Sequence, residues 1–366
     1  MPRIMMVTWD GGGNVPPLLH IARELQARGH EVTVLGHGSQ SARFEAAGIP
    51  FAPRRHAPPW SRTSDYELPE IFGQFVDGGA AQDVDELIEE WRPDAVVADC
   101  LLLGAIQAAQ AREIPTVVLM HSFWGAFGEA LPLSPLTDMA APYGREPRKL
   151  WATAAEVLVV TDRELDPVQE EIPPNVFWTG VAQPAARPPA RAQRHRALLS
   201  LSTVWFPGQQ ESMQSVLDGL DGLPVQVTAT IDDSISAAAL RVPDNVETRA
   251  YVDHQEIMPE VSFVIGHGGH ATTMYALAHD LPLLIVPQQP LADQLAIGEV
   301  VARHGAGILL AQHPSPAEVK DAVMKLVEDD SYATAAARIG ARLRQENGTI
   351  RAADRIDALI GARVPG

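Results

Sequence analysis

Residues 261–280 read VSFVIGHGGHATTMYALAHD, the pattern of a buried strand, a glycine-rich turn and a helix. Residues 261–265 are apolar and uninterrupted, as expected of a strand covered on both faces of a sheet. Glycines in 266–273 let the backbone approach a ligand closely, and the first turn of the helix offers N–H groups and a positive dipole end to an anion. The stretch predicts either a diphosphate-binding turn or a structural turn in which His267 bonds the backbone.

Strands and helices alternate along the chain on both sides of this stretch. The other predicted strands cover residues 4–8, 31–35, 94–99, 115–119, 156–160, 176–178, 198–202, 225–230 and 283–286. Helices are predicted over residues 15–28, through Ala108, over 209–221, and from Pro316 onward. Such βαβ units build parallel sheets.

The chain is long enough for two domains, since its 366 residues exceed one ordinary domain. Residues 184–196, PAARPPARAQRHR, lack a core pattern and predict a linker. We therefore predict an α/β protein with two Rossmann-like domains, residues 1–183 and 197–349, whose parallel sheets face each other across a cleft. In such sheets ligands bind at the carboxyl ends of the strands.

Composition excludes several classes of protein. The net charge of −18 and the pI near 5.0 argue against a nucleic-acid partner, because an acidic surface repels phosphate. The single cysteine, Cys100, excludes an internal disulfide and a Cys-rich zinc site. The first residues do not form a signal peptide, and no run of about 20 apolar residues is present. We expect a cytoplasmic protein without an integral membrane segment.

A second polar motif, Asp293-Gln294, follows the predicted strand at 283–286 and a short loop. A carboxylate beside an amide can accept from and donate to several sugar hydroxyls. Asp293 is equally suited to cap the helix that follows. The motif therefore indicates either a sugar-binding pair or a helix cap.

Together these motifs resemble one family. The run YVDHQEIMPEVSFVIGHGGHATTMYALAHDLPLLIVPQQPLADQLAIGEVVARHGAG, residues 251–307, looks like the donor signature of family 1 glycosyltransferases. The opening strand with GGGNVPP and RGHEVTVL resembles bacterial members that decorate natural products. The resemblance covers the whole chain and implies the GT-B architecture, with an inverting, metal-independent transfer from a UDP- or dTDP-sugar to a small, largely apolar acceptor. It implies no cofactor beyond the donor.

The resemblance also implies roles for individual residues. The diphosphate would be held by His267, Gly268, Gly269, the backbone of Ala271, and Thr272. Tyr251 and Val252 would contact the nucleobase, Asp293 and Gln294 the donor sugar, and Ser202 and Thr203 would lie near the phosphates. The C-terminal helix, residues 350–366, would pack back on the first domain, which would bind the acceptor.

One departure concerns the catalytic base. Many relatives carry a histidine in the loop after the first strand, and Asn14 stands at the matching position. Asp99 matches the acidic residue that orients that histidine. An amide cannot take a proton at neutral pH. The candidate replacements are Asp10, Asp99 and His121, and a base is dispensable if the acceptor is acidic or the electrophile is well positioned. Of the three we favour Asp10 over its alternative role as a helix-capping carboxylate.

Aromatic residues in the loops at 53–80 and 121–148 could form an apolar acceptor pocket or cover the sheet. They are Trp60, Tyr66, Phe72, Phe75, Phe123, Trp124, Phe127 and Tyr143.

Three other functions stay open: a sugar-nucleotide epimerase on the same fold, a non-catalytic helper subunit of a partner transferase, and a nicotinamide oxidoreductase. The spacing of the glycines in DGGGN argues against the oxidoreductase. A homodimer is also compatible with the sequence.

Overall fold

The computed structural model describes residues 1–128, 134–183, 186, 195–289 and 293–362. Contacts divide the chain into two compact units. The first comprises Met1–Ser61, Tyr66–Pro184 and Asn347–Gly366, and the second comprises Arg62–Asp65 and Ala185–Glu346. Most of the predicted linker, 184–196, lies outside the described residues.

Within the described part of the first unit, seven parallel strands form one sheet in the order β3-β2-β1-β4-β5-β6-β7. Their bounds are β1 Arg3–Val7, β2 Glu31–Gly36, β3 Phe51–Pro53, β4 Ala95–Asp99, β5 Thr116–Met120, β6 Glu156–Val159 and β7 Val176–Trp178. Successive side chains alternate between two apolar layers, with Met5 and Val7 on one face and Ile4 and Met6 on the other. This two-sided burial explains why the central strands are continuously apolar.

The second unit holds a six-stranded parallel sheet, again counted over the residues described, in the order β10-β9-β8-β11-β12-β13. Its strands are β8 Arg196–Ser200, β9 Gln226–Thr230, β10 Val246–Arg249, β11 Phe263–Gly266, β12 Leu283–Ile285 and β13 Gly307–Leu309. The prediction of two parallel-sheet, Rossmann-like α/β units is confirmed.

Helices connect the strands in both units. In the first unit they are α1 Val15–Ala27, α2 Ser41–Ala46, α3 Leu68–Val76, α4 Gly79–Trp91, α5 Leu103–Ala111, α6 Trp124–Phe127, α7 Pro135–Ala140 and α8 Pro147–Ala152. In the second unit they are α9 Gln209–Leu220, α10 His254–Ile257, α11 His270–Ala278, α12 Gln294–Arg303, α13 Pro316–Glu328 and α14 Asp330–Leu343. The last helix, α15 Gly348–Gly361, returns to the first unit. None of the described helices has the length and apolar character that crossing a bilayer requires.

Helix α15 packs against α1 in the first unit. Its apolar face joins the core that α1 and the sheet share, through residues such as Ile356. Arg28, which follows α1, donates to Asp354 at 2.8 Å and to Asp357 at 2.7 Å. Arg355 of α15 pairs with Glu156 of β6 through two hydrogen bonds of 2.6 and 3.0 Å.

In each sheet the strand order reverses at one point. Strand β1 lies between β2 and β4, and β8 lies between β9 and β11. At such a reversal the loops that leave the carboxyl ends of the two central strands run to opposite faces of the sheet and leave a crevice, where open α/β sheets bind ligands. The loops after β1 and β4, and those after β8 and β11, are therefore the places to look for function.

Candidate functional site

In the second unit, a glycine-rich turn joins β11 to α11 at the reversal point. Gly268 has φ +85°, a conformation that L side chains rarely adopt. A Cβ atom there would lie 2.7 Å from the carbonyl oxygen of Gln294 and 3.0 Å from Cγ2 of Ile285. The turn therefore needs glycine for its backbone conformation and for its packing against α12.

His267 precedes this glycine, and its ring lies against the backbone of Gly269, where an added Cβ would collide with the imidazole. Burial lowers the pKa of His267 to about 4. The imidazole is therefore neutral at pH 7. One ring nitrogen bonds the backbone of Ser200, and the buried Nδ1 has no hydrogen-bond partner among the described residues.

Helix α11 begins directly after Gly269, which adopts an extended conformation and provides no capping side chain. The N–H of Thr273 bonds the carbonyl oxygen of Gly269 at 3.0 Å, which closes the first turn. By helix geometry, the three N–H groups before it have no acceptor within the helix. Ala271 and Thr272 are half-buried in this turn, and Thr273 is buried. The turn has the donors and the dipole orientation that favour an anion.

The loop after β8 forms the other side of this reversal point. Ser202 is buried, and its Oγ accepts from the N–H of Val204 at 3.1 Å, whereas Thr203 is exposed. Gln209, at the start of α9, donates to the carbonyl oxygen of Ser202 at 2.7 Å and accepts from the N–H of Phe206 at 3.0 Å. Sequence reasoning missed this buried glutamine, which fixes the shape of the loop.

Asp293 and Gln294 have different surroundings. Asp293 is half-buried before α12, and its side chain makes no capping bond to the helix. Gln294 is buried, and its Oε1 accepts from the N–H groups of Gln288 at 2.7 Å and Gln289 at 3.1 Å. The amide oxygen of Gln294 thus shapes the loop after β12, which leaves its NH2 group as the part that can serve a ligand.

Tyr251 and Val252 follow β10, at the same edge of the second sheet. Tyr251 is 80% exposed, and Val252 is half-buried. Asp253 then caps α10 by accepting from the N–H of Gln255 at 2.8 Å. The exposed ring of Tyr251 is suited to stack on a planar ligand.

In the first unit, Asn14 and Asp99 meet at the reversal point between β1 and β4. Asn14 is 3% exposed, and its Nδ2 donates to Oδ2 of Asp99 at 2.8 Å, to the carbonyl oxygen of Trp9 at 3.0 Å and to Oγ1 of Thr8 at 3.2 Å. Asp99 is 2% exposed, and its Oδ1 accepts from the N–H of Leu101 at 3.0 Å. Both side chains are therefore buried and hydrogen-bonded to groups inside the first unit.

His121 contacts the same carboxylate from the next strand. It directly follows β5, which pairs with β4, and its Nδ1 lies 3.3 Å from Oδ2 of Asp99 and 3.7 Å from Sγ of Cys100. The edge of the ring packs on Phe127, with centroids 5.8 Å apart. Among the described residues, Asp99, Cys100 and His121 form the group close enough to hold a metal ion, with ligand atoms within 4.8 Å of one another.

Asp10 lies on the other side of the β1 loop, towards β2. Its Oδ2 accepts from Oγ of Ser39 at 2.7 Å, and its N–H donates to Nδ1 of His37 at 3.0 Å. Burial lowers the pKa of His37 to about 4, which agrees with a neutral ring that accepts at Nδ1. Asp10 is half-buried and belongs to this separate hydrogen-bonded group.

Several of the predicted aromatic residues form a cluster near the β1 loop. Trp60 stacks on Tyr66 with ring centroids 5.0 Å apart. The ring of Trp9 meets that of Trp60 at 5.5 Å and that of Phe75 at 4.8 Å. Sequence reasoning did not identify Trp9, which follows β1 and Thr8. Of the remaining predicted aromatics, Phe123, Trp124 and Phe127 are buried, Phe72 is half-buried and Tyr143 is exposed.

Two family models match the chain. The glycosyl transferase 4-like domain matches residues 12–176, and the erythromycin biosynthesis protein CIII-like, C-terminal domain matches residues 214–352. Among curated proteins, the chain is 24% identical to an uncharacterized UDP-glucosyltransferase, YojK, of Bacillus subtilis (strain 168), over 97% of both chains. It is 26% identical to the oleandomycin glycosyltransferase of Streptomyces antibioticus, over 98% of this chain and 91% of that protein.

Solved structures share the fold along the whole chain. The glycotransferase of kitacinnamycin superimposes with a TM-score of 0.77 at 23% identity, covering 98% of this chain and 99% of that one. The glycosyltransferase VinC in complex with dTDP gives a TM-score of 0.71 at 20% identity, covering 96% and 100%. At these identities the likeness shows the fold alone.

Proposed function

Because the chain belongs to the family 1 glycosyltransferases of the GT-B type, enzymes that transfer sugar from nucleotide-sugar donors, we propose that it carries out an inverting, metal-independent transfer from a UDP- or dTDP-sugar. One observation carries this proposal: the glycine turn at His267–Gly269 leads into the open N-terminus of α11 at the reversal point of the second sheet. UDP is named for the relative YojK, and dTDP is bound in VinC.

In this proposal the second unit binds the donor. The N–H groups at the start of α11, with Thr272 and the neutral His267, hold the diphosphate. Tyr251 and Val252 contact the base, and Asp293 with the NH2 group of Gln294 contacts the sugar. As the anomeric C–O bond breaks, the diphosphate leaves with the bonding electron pair, and the dipole and N–H donors of α11 stabilise the growing negative charge. We propose that this stabilisation takes the place of a metal ion.

In this proposal the first unit binds the acceptor molecule. The stacked rings of Trp60 and Tyr66 next to Trp9 favour a flat, largely apolar molecule. The names of two relatives, oleandomycin glycosyltransferase and the glycotransferase of kitacinnamycin, refer to natural products, which supports a natural-product aglycone as the acceptor class. A nucleophile on this molecule attacks the anomeric carbon from the face opposite the leaving diphosphate, which inverts the configuration there.

Replacing His267 with alanine tests the donor site. We expect the affinity for UDP or dTDP, whichever binds more tightly, to fall by about 10- to 100-fold, because a hydrogen bond to a charged group is worth about 1.5–3 kcal/mol. Calorimetric titration measures the loss. His304→Ala is the control, since His304 ends α12 and bonds the carbonyl oxygen of Val300 within its own helix. If wild type and His267→Ala bound UDP and dTDP with equal affinity, His267 would have a structural role and no part in donor binding.

Replacing Tyr251 with alanine tests the nucleobase contact. We expect UDP and dTDP affinity to fall by about 10-fold, within the roughly 1–3 kcal/mol that base stacking on an aromatic ring provides. Inorganic pyrophosphate has no base, so its affinity in the same titrations should stay at the wild-type value. A parallel loss for pyrophosphate would mean that Tyr251 acts on the phosphate turn and not on the base.

A further inference from the structure

We infer that His121, held by Asp99, is the general base that deprotonates the acceptor, and that Asn14 positions Asp99 from the interior. This inference rests on the proposed function. It moves the base from the loop after β1 to the end of β5 and changes our sequence-based preference for Asp10.

Asn14 is excluded as the base by its chemistry and by its surroundings. An amide does not take a proton at neutral pH. Its NH2 group points inward at three acceptors, Thr8 Oγ1, the Trp9 carbonyl oxygen and Asp99 Oδ2, and only a donor group satisfies all three. The residue is buried at 3% exposure, so it acts on the reaction through Asp99.

Asp99 is also shielded from a substrate. Its Oδ1 is held by the N–H of Leu101, and its Oδ2 faces both the NH2 group of Asn14 and the ring of His121. At 2% exposure, the carboxylate has no surface for an acceptor molecule. It can orient a neighbouring group and stabilise that group's positive charge.

His121 is the member of this trio that reaches the surface, with 12% of its side chain exposed. An ionised carboxylate only accepts, so the nearby Asp99 favours the tautomer with the proton on Nδ1. That tautomer leaves the lone pair of Nε2 for the acceptor's proton. Phe127 fixes the plane of the ring through its edge contact.

The proton and electron balance is complete without another reactant. The O–H proton of the acceptor moves to Nε2 of His121 as the oxygen forms a bond to the anomeric carbon. The bond from that carbon to the diphosphate breaks, and the diphosphate leaves with the electron pair. Asp99 stabilises the resulting imidazolium, which releases its proton to solvent after the product leaves.

Asp10 is the rival base within the first unit. Its carboxylate accepts from Ser39, and its backbone bonds His37 and Trp60, so it is part of the group at the end of β2. Asp10→Asn should therefore lower kcat by less than about 10-fold. The loss of a general base lowers it by about 10²–10⁴-fold.

The experiment compares acceptors that differ in their need for a base. Full-length wild type, His121→Asn, Asp10→Asn and His56→Asn are assayed with UDP-glucose and dTDP-glucose. The acceptors are 2-naphthol, which is protonated at pH 7.5, and 2-chloro-4-nitrophenol, which is already ionised. With 2-naphthol, His121→Asn should lose about 10²–10⁴-fold in kcat. With the ionised phenol, which has no proton to give, the loss of kcat in His121→Asn should stay below about 10-fold. His56, paired with Glu86 on the surface, is the matched control.

A second variant distinguishes the loss of a base from the loss of folding. His121→Ala should regain transfer to 2-naphthol when millimolar imidazole is added, and Asp10→Ala should not respond. UDP and dTDP titrations on each variant report whether the second unit still binds its ligand.

Equal losses with both phenols, or full activity in His121→Asn, would overturn the inference. So would stoichiometric zinc in the purified wild type that disappears in His121→Asn, because His121 would then be a ligand in the Asp99–Cys100–His121 cluster. A wild type that binds neither UDP nor dTDP would instead contradict the proposed function itself.

Discussion

Gly268→Ala should weaken UDP and dTDP binding by about 100-fold, equivalent to about 2.7 kcal/mol. An alanine at φ +85° costs roughly 1–2 kcal/mol in backbone strain. Its Cβ would also lie 2.7 Å from the carbonyl oxygen of Gln294, a backbone atom that cannot move away as a flexible side chain could. The turn would have to shift, and His267 and the start of α11 would lose their positions relative to the phosphates. Calorimetric titration with both nucleotides measures the loss.

Gly222→Ala is the control that separates the effect of close packing at Gly268 from the effect of backbone strain. Gly222 lies in the same unit at φ +68°, and an added Cβ would meet no atom within 4 Å. This variant should lose stability to a similar degree, measured by urea unfolding, while keeping its nucleotide affinity. If the two variants bound UDP and dTDP equally well, the close packing of Gly268 against α12 would have no part in donor binding.

Asp99→Asn should lower kcat by about 10²–10⁴-fold with a protonated acceptor, the contribution of a general base. The N–H of Leu101 holds one oxygen at this position, so the new amide would turn its NH2 group towards Asn14 and His121. Two donors would then face each other at Asn14. An NH2 group beside Nδ1 of His121 would favour the tautomer with the proton on Nε2, which has no lone pair there for the acceptor. Steady-state kinetics with 2-naphthol measures the effect.

Asp83→Asn is the matched control for this change. Asp83 is a buried carboxylate of the same unit that accepts from the N–H groups of Arg55 and His56. Both variants should lose stability, by roughly 1–3 kcal/mol for a disturbed buried acceptor, but Asp83→Asn should keep kcat near the wild-type value. The KM for the donor should stay unchanged in Asp99→Asn. A rise in that KM with unchanged kcat would contradict a role for Asp99 in proton transfer.

The residues of the proposed donor site lie largely within one local stretch of the sequence. His267, the glycines and Thr272 are neighbours along the chain, so a local pattern of buried strand, glycine turn and helix brings them together. Gln294 shows the limit of that reading. Its amide oxygen accepts from the N–H groups of Gln288 and Gln289, a tertiary contact that the local pattern does not predict.

The sequence by itself determined the alternation of strands and helices, the parallel sheets and the turn at 266–273, because two-sided burial and helical periodicity leave local patterns. It did not reveal the edge strands β3, β10 and β13, or helix α3 within residues 53–80, which were expected to be mostly loops, or helix α4, most of which follows that segment. Short edge strands carry little apolar pattern, and neighbouring strands define them. Only the tertiary structure decided that Asp99 meets His121 as well as Asn14. Asn14, Asp99 and His121 lie far apart in the chain, and they converge because β1, β4 and β5 are adjacent in the sheet.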